Sequence, residues 1–392
     1  MKYDAVVIGS GFTGSVIARQ LSDRIGAKVL LAEKRKHIAG NMYDKYLDNG
    51  VLVHIYGPHS FITDDEELVN YIQRFAEWKE NIICAQVCID ERIFPLPFGF
   101  NFIREYYGHK KAEQLIDKLQ KEFVGVERVA IYQLLESTDD DIRSLGEMLC
   151  EKDYYPYTSK QWGIPMEKMD PSVISRVKFA LSDDKRYIQQ KYQYTPIKGF
   201  TDFFEKLLDT DNIDVITDTD GIDYISFEND TVKFNWEGVT DGVPVIYTGP
   251  VDELLGCKFG SLPYRSLDIK YESFDRDSYQ DSTFISYPQA EGYTRIVEQK
   301  KLTGQDIEGK TTISIEYPIE YIRDVNIPYY PIINDDNRAC YNKYREEANL
   351  YKNLFVCGRL GDYQYYNMDM AIRRAMEQEI EIESYMKSNK IG

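Results

Sequence analysis

Three glycines near the amino terminus have the spacing of a phosphate-binding turn. Gly9, Gly11 and Gly14 follow directly on an apolar run, in the order Gly-Ser-Gly-Phe-Thr-Gly. In a strand–turn–helix unit the first glycine makes the tight turn, the second lets the backbone approach a pyrophosphate, and the third lets helix and strand pack closely. The N–H groups at the start of the helix attract the pyrophosphate. The pattern therefore predicts a dinucleotide site.

The residues around the glycines complete such a unit. Residues 3–8 predict a buried strand, 15–24 a helix, and 28–33 a second strand that ends at Glu33. An acid about 20 residues after the turn accepts hydrogen bonds from a ribose. The alternative, a glycine-rich turn in an unrelated α/β fold, gives Glu33 no role. The motif alone does not separate FAD from NAD; the early position and the absence of a second such motif favour FAD.

Composition and charge limit the number of folding units and the kinds of partner, metal site and location that we expect. The chain has 392 residues, of which 43% are hydrophobic, enough for two or three folding units. Its net charge of −18 argues against a nucleic-acid or anionic-membrane partner. The six cysteines show no metal-ligand spacing, so we expect reduced thiols, no metal site and a cytoplasmic protein. No apolar run reaches the roughly 18 residues of a membrane span, and no export signal is evident.

Patterning along the rest of the chain alternates between helices and strands. Helical patterns cover 64–79 and 101–150, the second interrupted near Gly108, Gly125 and Ser137, and alternating strand patterns cover 82–94, 213–248 and 262–318. A buried strand at 353–358 precedes a final helix from about 368 to 385. A strand, glycine loop and helix at this end would close the dinucleotide domain begun at residue 4.

We therefore expect an α/β protein in which a Rossmann-type FAD-binding domain is discontinuous and carries an inserted helical domain and an antiparallel β-sheet domain. The expected ranges are 1–80, 190–255 and 345–392 for the FAD-binding domain, 98–189 for the helical domain with a mobile loop around 167–186, and 81–97 with 256–344 for the sheet domain.

A series of short stretches follows in a characteristic order. Together they resemble the bacterial UDP-galactopyranose mutase family, and the resemblance extends over essentially the whole chain. The stretches are the opening GSGFTG, Glu33-Lys34-Arg35 with Gly40-Asn41, YGPH at 56–59, FPLPF at 94–98, YTSKQWG at 157–163, YTGP at 247–250, YRSL at 264–267, YTRI at 293–296, EYP at 316–318, and GRL at 358–360 with Tyr365-Tyr366.

The resemblance implies an isomerase that contracts the sugar ring of a nucleotide sugar without net oxidation. In such enzymes reduced FAD attacks the anomeric carbon through N5 and displaces the nucleotide diphosphate. The sugar ring then opens through a flavin iminium and recloses as the furanose, and the diphosphate returns to the anomeric carbon. It also implies a homodimer that supplies furanose units for cell-surface polysaccharide. The substrate would be UDP-galactose or a close relative, with no membrane insertion.

The resemblance further implies which residues form the site. Arg176 and Arg295 match two arginines that hold the diphosphate, Arg176 on a mobile loop, and His59 matches a histidine beside the flavin. Solvated surface arginines and a packed histidine are the alternatives. The implied substrate-binding residues are Tyr154, Tyr157, Trp162, Tyr187, Tyr317, Tyr365 and Asn367. The implied cofactor-binding residues are Gly9, Gly11, Phe12, Thr13, Gly14, Glu33, Lys34, Asn41, His59, Gly358, Arg359 and Met368.

Three positions depart from the family pattern. Ile62 stands where a second histidine is usual, Ser286 where an asparagine is usual, and Asn367 where an aspartate follows the two tyrosines. Asn367 could serve simply as a helix cap. The alternative is that the three changes alter the sugar that is accepted, toward an N-acetylated or 6-deoxy relative.

Two other classes of protein can contain the same strand–turn–helix unit at the amino terminus. A redox flavoenzyme of the amine-oxidase type would oxidise its substrate stoichiometrically and would need no paired diphosphate-binding arginines. A non-catalytic flavin or nucleotide-sugar binding protein would bind FAD without turnover.

Overall fold

The computed structural model describes residues 2–163, 165 and 178–389. Its strands are β1 (Ala5–Ile8), β2 (Val29–Ala32), β3 (Asp44–Tyr46), β4 (Leu52–His54), β5 (Phe61–Thr63), β6 (Trp78–Glu80), β7 (Ala85–Ile89), β8 (Arg92–Leu96), β9 (Arg128–Ala130), β10 (Lys178–Ala180), β11 (Tyr192–Pro196), β12 (Ile213–Ile216), β13 (Ile225–Glu228), β14 (Thr231–Phe234), β15 (Val245–Tyr247), β16 (Tyr264–Phe274), β17 (Phe284–Ser286), β18 (Arg295–Glu298), β19 (Thr311–Glu320), β20 (Tyr330–Pro331) and β21 (Leu354–Val356).

The described α-helices are α1 (Phe12–Ile25), α2 (Glu66–Ile72), α3 (Phe100–Tyr107), α4 (His109–Glu122), α5 (Ile131–Leu135), α6 (Asp140–Leu149), α7 (Tyr155–Trp162), α8 (Phe200–Leu208), α9 (Val251–Leu254), α10 (Gln299–Thr303), α11 (Asp335–Ala348), α12 (Gly358–Gly361) and α13 (Met368–Asn389). A π-helical turn, Cys150–Tyr154, joins α6 to α7. No helix in the described ranges is long and apolar enough to cross a membrane.

A five-stranded parallel sheet forms the part of the fold that the opening motif predicts. Its order is β12-β2-β1-β15-β21, so the first two strands lie at its centre and the last strand closes one edge. β1, β2 and β15 are fully buried, as strands covered on both faces must be. The helices α1, α8 and α13 pack against one face, with Phe12 among the rings of α8. This arrangement confirms the α/β fold class.

A second sheet has seven strands in the order β20-β16-β19-β18-β17-β7-β8. Its neighbouring strands are antiparallel, as predicted, except that β7 and β17 run parallel. The prediction of a purely antiparallel sheet is corrected at this pair, because β7 belongs to a distant part of the chain and joins the sheet without a hairpin. The domain boundaries stay a prediction.

The helices α3 to α7 form a separate apolar cluster with β7 and β8. The predicted interruptions near 108, 125 and 137 coincide with the ends of α3, α4 and α5. The pairing of β9 with β10 was not predicted. Residues 167–177 of the predicted mobile loop lie outside the described residues, whereas 178–180 form β10. The helix predicted over 64–79 ends at Ile72, because 78–80 form β6, which pairs with β11.

Candidate functional site

A cavity of about 590 Å³ opens at the carboxyl ends of the parallel strands, above the start of α1. We call it the first cavity. Its floor is the turn 9–13, and its walls come from the end of β2, from residues 247–250 after β15, and from α12 with the start of α13. Ligands of doubly wound sheets bind at this edge.

Glycine is required at two positions of the turn and leaves space at a third. A side chain at Gly14 would place its Cβ 2.0 Å from the Gly9 carbonyl oxygen, and one at Gly9, whose φ is +104°, would lie 2.1 Å from Thr248 Oγ1. At Gly11 a Cβ would meet nothing within 4 Å. Gly11 therefore faces open cavity, as expected of a residue that lets the backbone approach a ligand. No acid lies in the first turn of α1, so its N-terminal N–H groups remain suited to an anion.

Glu33 lies at the end of β2 and fixes the turn. Its Oε2 accepts hydrogen bonds from Ser10 N–H at 2.9 Å and Ser10 Oγ at 2.7 Å, and its Oε1 accepts one from Arg35 N–H at 2.9 Å. Each carboxylate oxygen has two lone pairs, so Oε1 keeps capacity for a ribose hydroxyl in the cavity. Glu33 thus has a structural role that the sequence did not indicate, and its contact with a ribose stays a prediction.

Arg35 adds a positive group to the first cavity. One of its nitrogens donates to Asn41 Oδ1 at 2.8 Å and its guanidinium lies 4.3 Å from the centre of the Tyr56 ring, whereas Nη1 is buried and has no described partner. Buried guanidinium nitrogens are normally paired, and a phosphate oxygen would pair this one. An anion-binding turn, a ribose acceptor and a free guanidinium nitrogen together fit FAD.

Most of the predicted cofactor-binding residues line the first cavity. They are Gly9, Gly11, Phe12, Thr13, Glu33, Lys34, Asn41, Gly358, Arg359 and Met368. Of the other two, Gly14 lies beneath the turn and His59 lines a second cavity, which is described next.

A second cavity, of about 650 Å³, adjoins the first. Arg359, Asn367 and Met368 line both, so a group bound in one meets a group bound in the other at these residues. The other walls come from the seven-stranded sheet and the helical cluster. The predicted residues that line the second cavity are His59, Tyr154, Tyr157, Trp162, Tyr187, Arg295, Tyr365 and Asn367.

Arg295 begins β18 and is held by its neighbour in the sheet. It lies opposite Glu316 in register, and its Nε donates to Glu316 Oε2 at 2.6 Å. Burial acts to lower the pKa of Arg295, but Glu316 and the surrounding tyrosines outweigh it, so the net shift is upward. Burial raises the pKa of Glu316, and Arg295 opposes that shift. Arg295 is therefore a fixed cation whose remaining nitrogens are available to a ligand.

Two cations anchor the helix that carries Tyr157 and Trp162. Lys160 Nζ donates to the carbonyl oxygens of Tyr287, Ala290 and Tyr293 at 2.7, 2.7 and 2.8 Å. Arg265 on β16 donates to the carbonyl oxygens of Gln161 and Lys160 at 3.0 and 3.2 Å, where unpaired carbonyls end the helix. α7 is thus held between two segments of the seven-stranded sheet, and its aromatic side chains keep a fixed place at the cavity.

His59 is a neutral group at the cavity wall. Its backbone N–H donates to His54 Nδ1 at 3.1 Å, while its own Nδ1 is buried and lacks a described partner. Burial holds the pKa of His59 well below its ordinary value, and His54, Arg359 and Arg295 lower it further. The imidazole can exchange hydrogen bonds with a ligand but carries no charge near neutral pH.

One predicted residue lies in neither cavity, and another is outside the described residues. Tyr317 contributes to neither cavity; it follows Glu316 on β19 and therefore faces the opposite side of the sheet, where Lys270 lies over its ring at 4.5 Å. Its predicted contact with the diphosphate has no support from this position. Arg176 lies outside the described residues.

All three departures from the family pattern line the second cavity: Ile62 on β5, Ser286 on β17, and Asn367. The Asn367 carbonyl oxygen accepts from Ala371 N–H at 3.0 Å, so Asn367 is the N-cap residue of α13. Within the described chain, however, its side chain accepts no capping hydrogen bond, which leaves its amide free toward the cavities. The cap explanation therefore does not account for the side chain.

Several lining residues were not predicted. Asp153, Arg128, Arg265 and Tyr330 line the second cavity, and Asp220 lines the first. Arg265 lies within a stretch that resembles the family and Asp153 directly precedes Tyr154, so the sequence held a signal that could have identified these two residues. Arg128 had none, because β9 lies outside every stretch that resembles the family, and its pairing with β10 was not predicted.

Comparison with known proteins identifies the family. The family model described as UDP-galactopyranose mutase matches residues 152–365, and one described as NAD(P)-binding Rossmann-like domain matches 7–75. The UDP-galactopyranose mutase of Mycoplasma pneumoniae is 35% identical over 382 residues, covering 96% of this chain and 95% of its own. The dTDP-fucopyranose mutase of Escherichia coli is 30% identical over 397 residues, covering 98% and 99%.

Solved structures agree on the fold. A crystal structure of reduced UDP-galactopyranose mutase superposes with a TM-score of 0.71 at 15% identity, covering 98% of this chain and 94% of the other. A double mutant of putrescine oxidase gives a TM-score of 0.60 at 12% identity, covering 98% and 99%, so this fold alone does not separate mutases from oxidases. The sequence relatives and the family model do: the chain belongs to the UDP-galactopyranose mutase family.

Proposed function

We propose that this protein interconverts the pyranose and furanose forms of a nucleotide-diphosphate sugar, with FAD in the first cavity and the substrate in the second. The observation that carries the proposal is the border between the cavities. Arg359, Asn367 and Met368 line both, so a sugar in the second cavity meets the flavin there. When bound and reduced, FAD supplies a nucleophilic nitrogen, N5, for the anomeric carbon.

The protein's own task is to hold the diphosphate while its bond to the sugar breaks and re-forms. Negative charge grows on the departing diphosphate, and a fixed guanidinium stabilises that charge. Arg295 suits this role because Glu316 holds it from behind and its side chain is only 22% exposed. Arg176 is the second such group in our proposal, on the strength of the family match alone.

The tyrosines and His59 complete the binding of the substrate. Tyr187 packs edge-on against Phe284 at 5.2 Å, and Tyr365 stacks on Tyr330 at 5.8 Å, so both present a hydroxyl from a supported ring. Such hydroxyls donate to phosphate oxygens. Neutral His59 near the border exchanges a hydrogen bond with the sugar or the flavin without taking up a proton.

The sugar is the finer part of the proposal. Ile62, Ser286 and Asn367 all line the second cavity, so the positions that depart from the family pattern meet where the substrate would bind. A relative of similar identity is named dTDP-fucopyranose mutase, and fucose is a 6-deoxy sugar. We propose that this chain prefers a close relative of UDP-galactose, such as a 6-deoxy or N-acetylated sugar.

The test is product analysis with chemically reduced enzyme under anaerobic conditions. Nucleotide furanoses would be incubated with the holoenzyme and the products separated by anion-exchange chromatography. We expect many turnovers from one reduction. Consumption of one equivalent of NAD(P)H per product would replace the proposal with a redox flavoenzyme, and bound FAD without turnover on the panel would replace it with a binding protein.

A further inference from the structure

The second cavity also carries polar groups that take no part in holding the diphosphate or in the bond to the sugar. Asp153 and Tyr154 on the π-helical turn and Arg128 on β9 line it, together with Phe98, and none of them lines the first cavity. Isolated π-helical turns occur frequently at functional sites. Phe98 and Tyr154 belong to the helical cluster, whereas the border is formed by Arg359, Asn367 and Met368.

Electrostatic contacts connect the border with Asp153. Arg359 and Arg295 both act on His59 at the border. Burial raises the pKa of Tyr187, Arg295 opposes the rise, and Asp153 and Tyr365 add to it, so Tyr187 lies near all three. A nucleotide sugar with its sugar at the border and its diphosphate on Arg295 would extend past Tyr187 and bring its base to Asp153.

Polar groups at this end are buried with few partners in the described chain. Asp153 is 9% exposed, and Lys160, the cation that acts on it, gives all three of its N–H groups to backbone carbonyls. Burial raises the pKa of Asp153 to about 7, against the pull of Lys160, so much of the carboxyl retains its proton near neutral pH. The Tyr154 hydroxyl and Arg128 Nη2 are also buried without a described partner. Native structures rarely leave such groups unpaired, which points to a ligand.

We propose that Asp153 is a specificity-determining residue that reads the imide edge of a uracil or thymine base. This rests on the proposed function. A protonated carboxyl offers one O–H donor beside one carbonyl acceptor, and the imide edge offers an N–H beside a carbonyl oxygen. Two parallel hydrogen bonds form, and Arg128 and the Tyr154 hydroxyl are free for the base's other oxygen. The rings of Phe98 and Tyr154, 5.8 Å apart and edge-to-face, give the base an apolar wall.

The experiment compares UDP with 3-methyl-UDP, in which a methyl group replaces the imide hydrogen, as ligands of the holoenzyme measured by calorimetry. Wild type should bind 3-methyl-UDP at least about 10-fold more weakly, the scale of one buried hydrogen bond lost. Asp153→Leu should weaken UDP binding and bring the ratio of the two affinities to within about 3-fold. Asp153→Asn should keep the wild-type ratio, because the amide offers the same donor and acceptor.

The experiment distinguishes failure of the proposed role of Asp153 from failure of the proposed function. Equal affinities in wild type, or an unchanged ratio in Asp153→Leu, overturns the role of Asp153 while leaving the mutase proposal intact. Failure of wild type to bind either UDP or dTDP would overturn the proposed function, and this inference with it. Flavin content reports folding of the variants; if Asp153→Leu does not fold, Asp153→Ala takes its place, and the wild-type ratio is independent of both.

Discussion

The two cavities are built in different ways. The first is lined mostly by short runs of consecutive residues: the turn 9–13 after β1, the end of β2, the segments after β15 and β21, and residues 324–329 after β19. The second is lined by residues from β5, α7, β16, β17, β18 and β9, which lie far apart in the chain. A cofactor shared by many proteins can be bound through backbone geometry, whereas a particular substrate requires particular side chains.

This difference predicts where substitutions act. In the first cavity the sensitive atoms are those that keep the turn close to the ligand, and a change alters cofactor content before anything else. In the second cavity the sensitive atoms are charged or polar ends, and a change alters rate, specificity or pH dependence while the flavin stays bound. The predictions below test that separation, from the largest expected effect to the smallest.

The largest effect is expected at the glycines of the turn. Gly11→Val should give folded protein without FAD, because its side chain enters open cavity on the pyrophosphate's path. Gly14→Val should lose both FAD and thermal stability, because its Cβ would lie 2.0 Å from the Gly9 carbonyl oxygen. Flavin absorbance and Tm measure the two effects. Gly26→Ala, at the end of α1 where a Cβ meets nothing within 4 Å, is the control for FAD content. A yellow Gly11→Val protein would place the pyrophosphate elsewhere.

The next effect is on stability through Asp153. Its pKa in the folded protein is raised to about 7, so between its unfolded pKa, about 4, and pH 7 the folded state holds a proton that the unfolded state has lost. Stability therefore falls as pH rises through that window, by about 1.4 kcal/mol per unit and up to ~4 kcal/mol in all. Asp153→Asn should remove this loss.

The measurement is the free energy of unfolding by urea at pH 5 and pH 8. Asp153→Asn should gain more over wild type at pH 8 than at pH 5. The exposed Asp117 on α4 supplies the control, since Asp117→Asn should change the two values equally. An Asp153→Asn gain that is independent of pH would show that the carboxyl is ionised in the folded protein throughout this range.

Effects that depend on contacts between distant side chains could not be predicted from the sequence, whereas local structure could. The opening unit was accurate because glycine spacing, apolar runs and Glu33 are local signals in one stretch of chain. The parallel pair β7–β17 and the pairing of β9 with β10 join distant segments, and no local pattern encodes them.

In the candidate site, too, local motifs could be recognised in the sequence, but the contacts that support their residues could not. Family motifs identified Arg295 and Trp162, but not that Glu316 supports Arg295 or that Lys160 and Arg265 anchor α7. Tyr317 shows the cost of matching by sequence alone: it is one residue from Glu316, and strand alternation puts it on the opposite face.

A loss of about 10²-fold in kcat/KM, or ~3 kcal/mol, is expected for Arg295→Ala, since one charge-stabilising donor is removed. Arg295→Lys should not restore full activity, because an ammonium keeps the ion pair with Glu316 but lacks a second fork for phosphate. FAD content should be unchanged in both. The same loss is expected for Arg176→Ala from the family match.

Steady-state kinetics with reduced enzyme measures these losses, and Arg143→Ala, at a half-buried arginine on α6 that lines neither cavity, serves as control. Because Arg295→Ala leaves a buried carboxylate unpaired, its Tm should also fall, whereas that of Arg295→Lys should fall less. An Arg295→Lys enzyme with wild-type kcat/KM would mean that a point charge suffices and the guanidinium fork has no role.

The smallest effect, and the one most specific to this chain, is expected at Asn367. An aspartate there would be an acceptor for a sugar hydroxyl; the asparagine is weaker as an acceptor and adds an N–H donor. With Ile62 in the same cavity in place of an imidazole, the site offers fewer partners for a hydroxyl and suits a 6-deoxy sugar better than galactose. We therefore expect UDP-galactofuranose not to have the highest kcat/KM among UDP-galactofuranose, UDP-N-acetylgalactofuranose and a dTDP-6-deoxyhexofuranose.

Asn367→Asp should shift that preference toward UDP-galactofuranose by ~10-fold, or about 1.4 kcal/mol, the scale of one hydrogen bond to a charged group. Its Tm should change little, since the side chain at this position accepts no capping hydrogen bond in the described chain and Asp suits an N-cap position as well as Asn does. If Asn367 served only as a helix cap, the opposite result would follow: Asn367→Ala would lower the Tm by the contribution of one capping hydrogen bond and leave the sugar preference unchanged. Because the Asn367 side chain accepts no hydrogen bond from α13 in the described chain, we expect Asn367→Ala to change the preference and not the Tm. Highest kcat/KM for UDP-galactofuranose in wild type, by ~10-fold or more, would reduce Asn367 to a position in the helix start and return the chain to the usual sugar of its family.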